Sequence, residues 1–113
     1  PYNSGQIDII RRVHAQLTED LTRRYTIDEL SRQYRINTSA LKSIFKSVYG
    51  LPIASYMKRY RILQAAEILR DGSSNISEAA RAVGYESQSK FSAAFKDIMD
   101  ILPTEYRKQH GGS

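Results

Sequence analysis

Ile44-Phe45-Lys46 followed by Tyr56 returns fifty residues later as Ala94-Phe95-Lys96 followed by Tyr106. The repeat extends upstream, where Thr26-Ile27-Asp28-Glu29-Leu30 corresponds to Asn75-Ile76-Ser77-Glu78-Ala79 at an offset of 49 that becomes 50 by Leu41/Phe91. One extra residue therefore lies between the paired elements of the second copy. Within each copy the spacing is that of a helix, a tight turn and a second helix, the arrangement that places a helix in the major groove of DNA.

The periodicity predicts seven helices. Ile7, Ile10, Val13, Leu17 and Leu21 recur at helical spacing and predict a first helix over roughly 4–22. Thr26 offers an N-cap with Glu29 three residues on, the pair of a capping box, and Ile27, Leu30 and Tyr34 supply the buried edge of a short second helix. Asn37-Thr38-Ser39 restart the chain, and Leu41, Ile44, Phe45 and Val48 form the apolar face of a third helix ended by Gly50 and Pro52. Residues 52–70 read as one long helix carrying Tyr56, Met57, Tyr60, Ile62, Leu63, Ala65, Ala66, Ile68 and Leu69 without a breaker. Asn75 and Glu78 repeat the capping box before a short fifth helix, and Gly84 makes the turn. Ser87 caps a sixth helix facing inward through Phe91, Ala94, Phe95 and Ile98, and Pro103 opens a final one through Tyr106. No strand pattern competes, so the predicted class is all-α, with subdomains over 1–50 and 72–113 joined by a linker helix over 51–71. About 28 Å of linker suits two units set about one DNA turn apart, near 34 Å.

Phe45, Phe95, Tyr56 and Tyr106 lie on the apolar stripes and are expected in the core. At about 100° per residue, the face of the third helix opposite its core presents Ser39, Ser43 and Lys46, with Lys42 at the margin. On the sixth helix the corresponding face holds Ser89, Ala93 and Lys96, flanked by Gln88, Lys90 and Ser92 and preceded by Ser87. Both faces are polar and acid-poor, as a surface approaching phosphates needs to be, with Glu86 and Asp97 as nearby exceptions. A net charge of +5 favours polyanionic partners. Lys58, Arg59 and Arg61 on the linker are open to phosphate contact or to a bland role, for Arg61 as a structural ion-pair partner and for Lys58 and Arg59 as solvated side chains.

Catalysis is not expected. His14 and His110 are far apart, the glycines form no phosphate loop, and the chain has no cysteine for a nucleophile, a disulfide or a zinc site. No cofactor or metal is implied. No apolar run approaches the roughly 20 residues needed to span a bilayer, which leaves no membrane partner. The lack of cysteine is compatible with a reducing cytoplasm, the expected location.

Ile76-Ser77-Glu78-Ala79-Ala80-Arg81-Ala82-Val83-Gly84-Tyr85, continuing to Phe95-Lys96 and closed by Pro103-Thr104-Glu105-Tyr106-Arg107, resembles the signature segment of the AraC/XylS family of bacterial transcription regulators. Arg61-Ile62, Ala65 and Ile68-Leu69 resemble that family's linker helix. The resemblance runs from about Tyr25 to Arg107 and implies double-stranded DNA as partner, read by the outward positions of the third and sixth helices. Carried over, these are Ser39, Lys42, Ser43 and Lys46, then Gln88, Ser89, Ser92 and Ala93. Several members place a long basic side chain where Ser43 and Ala93 stand, so direct readout is weakened there or shifted to Lys42 and Gln88. Asp100 replaces a common Gly, predicting an altered turn. RNA polymerase is a further partner implied for such a regulator. The absence of an initiator Met raises the expectation of an effector or dimerisation domain N-terminal to this fragment. The alternative is a helical protein-interaction module that has lost DNA recognition.

Overall fold

The computed structural model describes residues 2–110, and among them every regular element is helical: α1 (Ser4–Glu19), α2 (Ile27–Tyr34), α3 (Thr38–Tyr49), α4 (Ile53–Asp71), α5 (Ile76–Ala82), α6 (Gln88–Met99) and α7 (Pro103–His110). The chain divides into two compact units within α4, between Met57 and Lys58.

In the first unit α1 and α2 pack on α3 and on each other. Ile10, Val13, Leu17, Leu30, Leu41, Ile44, Phe45, Ile53 and Met57 form its core. The starts of α1, α2 and α3 are each fixed by a side chain that accepts an otherwise unpaired backbone N–H. Asn3 and Gln6 form a capping box on α1, and Thr26 and Glu29 form the predicted one on α2. The Asn37 side chain accepts from Ala40 N at 2.8 Å at the head of α3. Caps of this kind are each worth about 0.5–2 kcal/mol.

The first helix is shorter than its apolar stripe predicts. Asp20 leaves the helical conformation, and its carboxylate accepts from the Thr22 backbone at 3.0 Å and the Thr22 hydroxyl at 2.6 Å. That local turn competes with a further helical turn. Leu21 packs against the core from outside the helix. Val48, expected inside, is 37% exposed in the last turn of α3.

From Lys58 onward the second unit buries Ile62, Ala65, Ala66 and Leu69 of α4, Ala79 and Ala80 of α5, Phe91, Ala94 and Phe95 of α6, and Pro103 and Tyr106 of α7. The Phe91 and Phe95 ring centroids lie 5.8 Å apart, and Phe95 meets Tyr106 edge-on at 5.4 Å. Leu63, read as an apolar linker position, is 40% exposed. Asn75 and Glu78 form the predicted capping box on α5. The last helix runs past Tyr106 to His110, whose ring lies 4.4 Å from that of Tyr106.

Two arginines hold the turns of this unit. Arg61 is 3% exposed and donates from a terminal guanidinium nitrogen to the Val83 carbonyl at 2.9 Å, at the end of α5. A buried cation is tolerated only with such partners. Arg107 donates from Nε to the Ser74 carbonyl at 2.9 Å and from a terminal nitrogen to that of Gly72 at 3.3 Å, fastening α7 to the turn before α5.

Candidate nucleic-acid interface

α3 and α6 are each anchored by buried residues along one edge and capped at both ends, so their opposite faces are set by helical geometry. Leu41, Ile44 and Phe45 are fully buried on α3, and Ser39, Lys42, Ser43 and Lys46 are exposed. Along α6, Phe91 and Phe95 are fully buried while Gln88, Ser89, Lys90, Ala93 and Lys96 are exposed. Ser87 and Ser92 are half-buried. The Ser87 hydroxyl is already committed, accepting from Lys90 N at 3.2 Å as the cap of α6. Ser92 follows Phe91 and lies at the border of the apolar face.

Both helices end in the same way. Gly50, with φ 88, donates its N–H to the Lys46 carbonyl at 2.7 Å. Asp100, with φ 62, donates to the Lys96 carbonyl at 2.9 Å. Asp100 thus closes α6 with the same kind of left-handed cap that Gly50 gives α3. Lys96 reaches back to accompany it, its Nζ 3.4 Å from the Asp100 carbonyl oxygen.

The charges around the faces are unequal. Asp97 on α6 forms an ion pair with Lys58 of α4, which muffles the one carboxylate inside this helix's polar surface and engages Lys58 in the fold. Arg61 has a structural role through Val83, and Arg59 is exposed. Among the described residues no group of three or more His, Cys, Asp or Glu side chains is placed to hold a metal ion, and no helix is long and apolar enough to cross a membrane.

His14 was no part of the predicted core, yet it stacks on Tyr49 with ring centroids 4.2 Å apart and lies edge-on to Tyr56. Its Nε2 is 2.7 Å from the Tyr56 hydroxyl. Burial lowers its pKa from the ordinary value of 6.5. The contact ties α1 to the aromatic cluster behind α3, in which Tyr56, expected in the core, is only half-buried.

A family model described as a helix-turn-helix domain matches residues 30–109, well over half of the chain. The second half of α2 through most of α7 lies in that span. A Streptomyces lividans protein described as an AraC-like transcription regulator is 36% identical over 92 residues, covering 81% of this chain and 30% of its own length.

The chain belongs to the AraC/XylS family of bacterial transcription regulators.

Solved structures agree with the AraC-type fold. The C-terminal domain of AraT, a response regulator from Geobacillus stearothermophilus, has a TM-score of 0.85 at 27% identity, over 93% of this chain and 88% of that one. The DNA-binding domain of AdpA, solved in complex with a target DNA, shares the fold at a TM-score of 0.82 and 21% identity, over 88% of this chain and 90% of that one. The chain spans about a third of the length of curated AraC-like relatives such as the Streptomyces protein.

Proposed function

We propose that this chain is the double-stranded DNA-binding part of an AraC-type transcription regulator acting in the bacterial cytoplasm, without catalysis of its own. The observation that carries the reading is the matched pair of capped helices, α3 and α6, each exposing a basic, hydroxyl-rich face. Lys42, Lys46, Lys90 and Lys96 are the phosphate or base-edge contacts in this proposal, and Ser39, Ser43, Gln88 and Ser89 are the neutral hydrogen-bonding groups between them. Ser92 contributes from the border, Ala93 offers methyl contact, and Ser87 acts through the cap. A thymine methyl is the natural partner of such an apolar side chain in the major groove.

Membership of a family of transcription regulators, and the DNA-bound state of the AdpA domain with the same fold, support the reading. RNA polymerase and an effector or dimerising domain enter the proposal as partners of a longer regulator, consistent with the greater length of the relatives. The test is selection of bound duplexes from a random pool followed by footprinting. An enriched motif with salt-dependent affinity is expected. A pool that stays random and a chain that retains no duplex would return the protein-interaction alternative.

A further inference from the structure

The two helix-turn-helix turns close with the same backbone bond and carry opposite charge. In the first unit Ile36 N donates to the Ser31 carbonyl at 3.1 Å, and in the second Tyr85 N donates to the Ala80 carbonyl at 2.9 Å. Closing a helix this way requires one residue in the left-handed conformation, the place glycine fills at least cost because it has no Cβ. The second unit uses Gly84, with φ 89. At the equivalent position, 49 residues earlier, the first unit uses Arg35, with φ 53 and ψ 45.

The fold does not account for an arginine there. Arg35 is exposed, and among the described residues its guanidinium has no hydrogen-bond or ion-pair partner. A cation favours the negative end of a helix dipole, but Arg32 already supplies one in the last turn of α2 from an ordinary helical backbone. A side chain held in a disfavoured conformation and unused by the fold points to a use outside it. The contrast with the second unit sharpens the point, because the residue inserted into its turn is the exposed Glu86. One turn therefore projects a positive charge and the other a negative one.

Arg35 lies two residues before Asn37, the cap of α3, and four before Ser39, the first outward residue of that helix. Four residues span at most about 14 Å of chain. The major groove is about 12 Å wide, so with α3 in the groove the turn is within reach of the flanking strand.

We infer that Arg35 is a DNA phosphate contact that the first unit has and the second lacks. The inference rests on the DNA-binding reading and adds to it an unequal grip by the two units.

The experiment compares the unsubstituted chain with Arg35→Gly, Arg35→Asn and Arg35→Lys, each titrated against one labelled random-sequence duplex from roughly 50 to 200 mM salt. Gly and Asn tolerate the left-handed backbone, so their melting temperatures are expected to stay level or rise while the log–log salt slope falls in magnitude by about 0.9. Arg35→Lys is expected to keep the slope. Unchanged slopes for Arg35→Gly and Arg35→Asn, with the unsubstituted chain binding, overturn this inference and leave the DNA reading intact. If the unsubstituted chain shows no salt-dependent binding, both fall.

Discussion

Lys46 and Lys96 occupy matching places in the two copies, but they are not equivalent side chains. Lys46 is an exposed ammonium in the last turn of α3, whereas Lys96 leans toward the carbonyl of its own C-cap. Removing either is expected to weaken binding to all duplexes alike and to lower the salt slope by roughly 1 in titrations of Lys46→Ala and Lys96→Ala. Lys96→Ala should also cost stability, by a few tenths of a kcal/mol, since it loses a surface cap bond as well. An unaltered slope in either variant would return that lysine to an ordinary solvated face. His14 makes a different prediction. Its folded pKa lies below 6.5, so the unfolded chain binds more protons in the interval between the two values. The stability it supports is present above about pH 6.5, declines as pH falls through that interval, and is flat below the folded pKa. Melting curves of wild type and His14→Gln across this range check the sign. The wild type should lose more of its melting temperature on acidification than the variant, and parallel curves would show that the ring titrates alike in both states.

Helix ends carry the clearest link from sequence to structure, and also the limits of that link. Thr26 with Glu29, Asn75 with Glu78, and Ser87 each cap the helix predicted for them, because side-chain oxygens at helix starts satisfy backbone donors by local geometry alone. The directions of Ser39, Lys42, Lys46, Gln88 and Lys96 were likewise legible, since 100° per residue from a buried phenylalanine leaves little choice. What periodicity cannot give is the object opposite a side chain. Val48 points with the stripe of α3 and still meets solvent, and Leu21 joins the core after the helix has ended. Nor does periodicity report the sign of φ, which is why Arg35 in the left-handed region was invisible while Gly84 was plain. Left-handed caps yield a prediction of their own. At Gly50 an added Cβ meets nothing within 4 Å, so Gly50→Ala carries conformational strain without a clash. A loss of about 1–2 kcal/mol is expected in denaturant unfolding. Asp100→Gly should go the other way and raise stability, because the backbone there already has positive φ. Equal stabilities across both substitutions would mean that the cap residues relax out of the left-handed region at little cost.

At the scale of the whole molecule, α4 is the element shared by both units, and the place where it changes allegiance determines how the two-unit reading is tested. Ile53 and Met57 belong to the core of the first unit, while Lys58, Arg61 and Ile62 serve the second through Asp97, Val83 and burial. An insertion near the middle of the helix, after Gln64, would pull Arg61 out of register with Ala65, Ala66 and Leu69 and damage the second core itself. Two alanines placed between Met57 and Lys58 avoid this, because the residues on each side keep their register with their own unit. Such an insertion turns one part of the helix relative to the other by about 200° and lengthens it by about 3 Å. If α3 and α6 both hold DNA, binding by the second unit is intramolecular once the first is seated, and its gain depends on a geometry the insertion removes. Melting temperature should then stay close to that of the unaltered chain, affinity for the selected duplex should fall sharply, and footprints should contract from two major-groove segments about 10 bp apart to one. A single segment in the unaltered chain, with affinity indifferent to the insertion, would mean that one unit reads DNA and the other supports it.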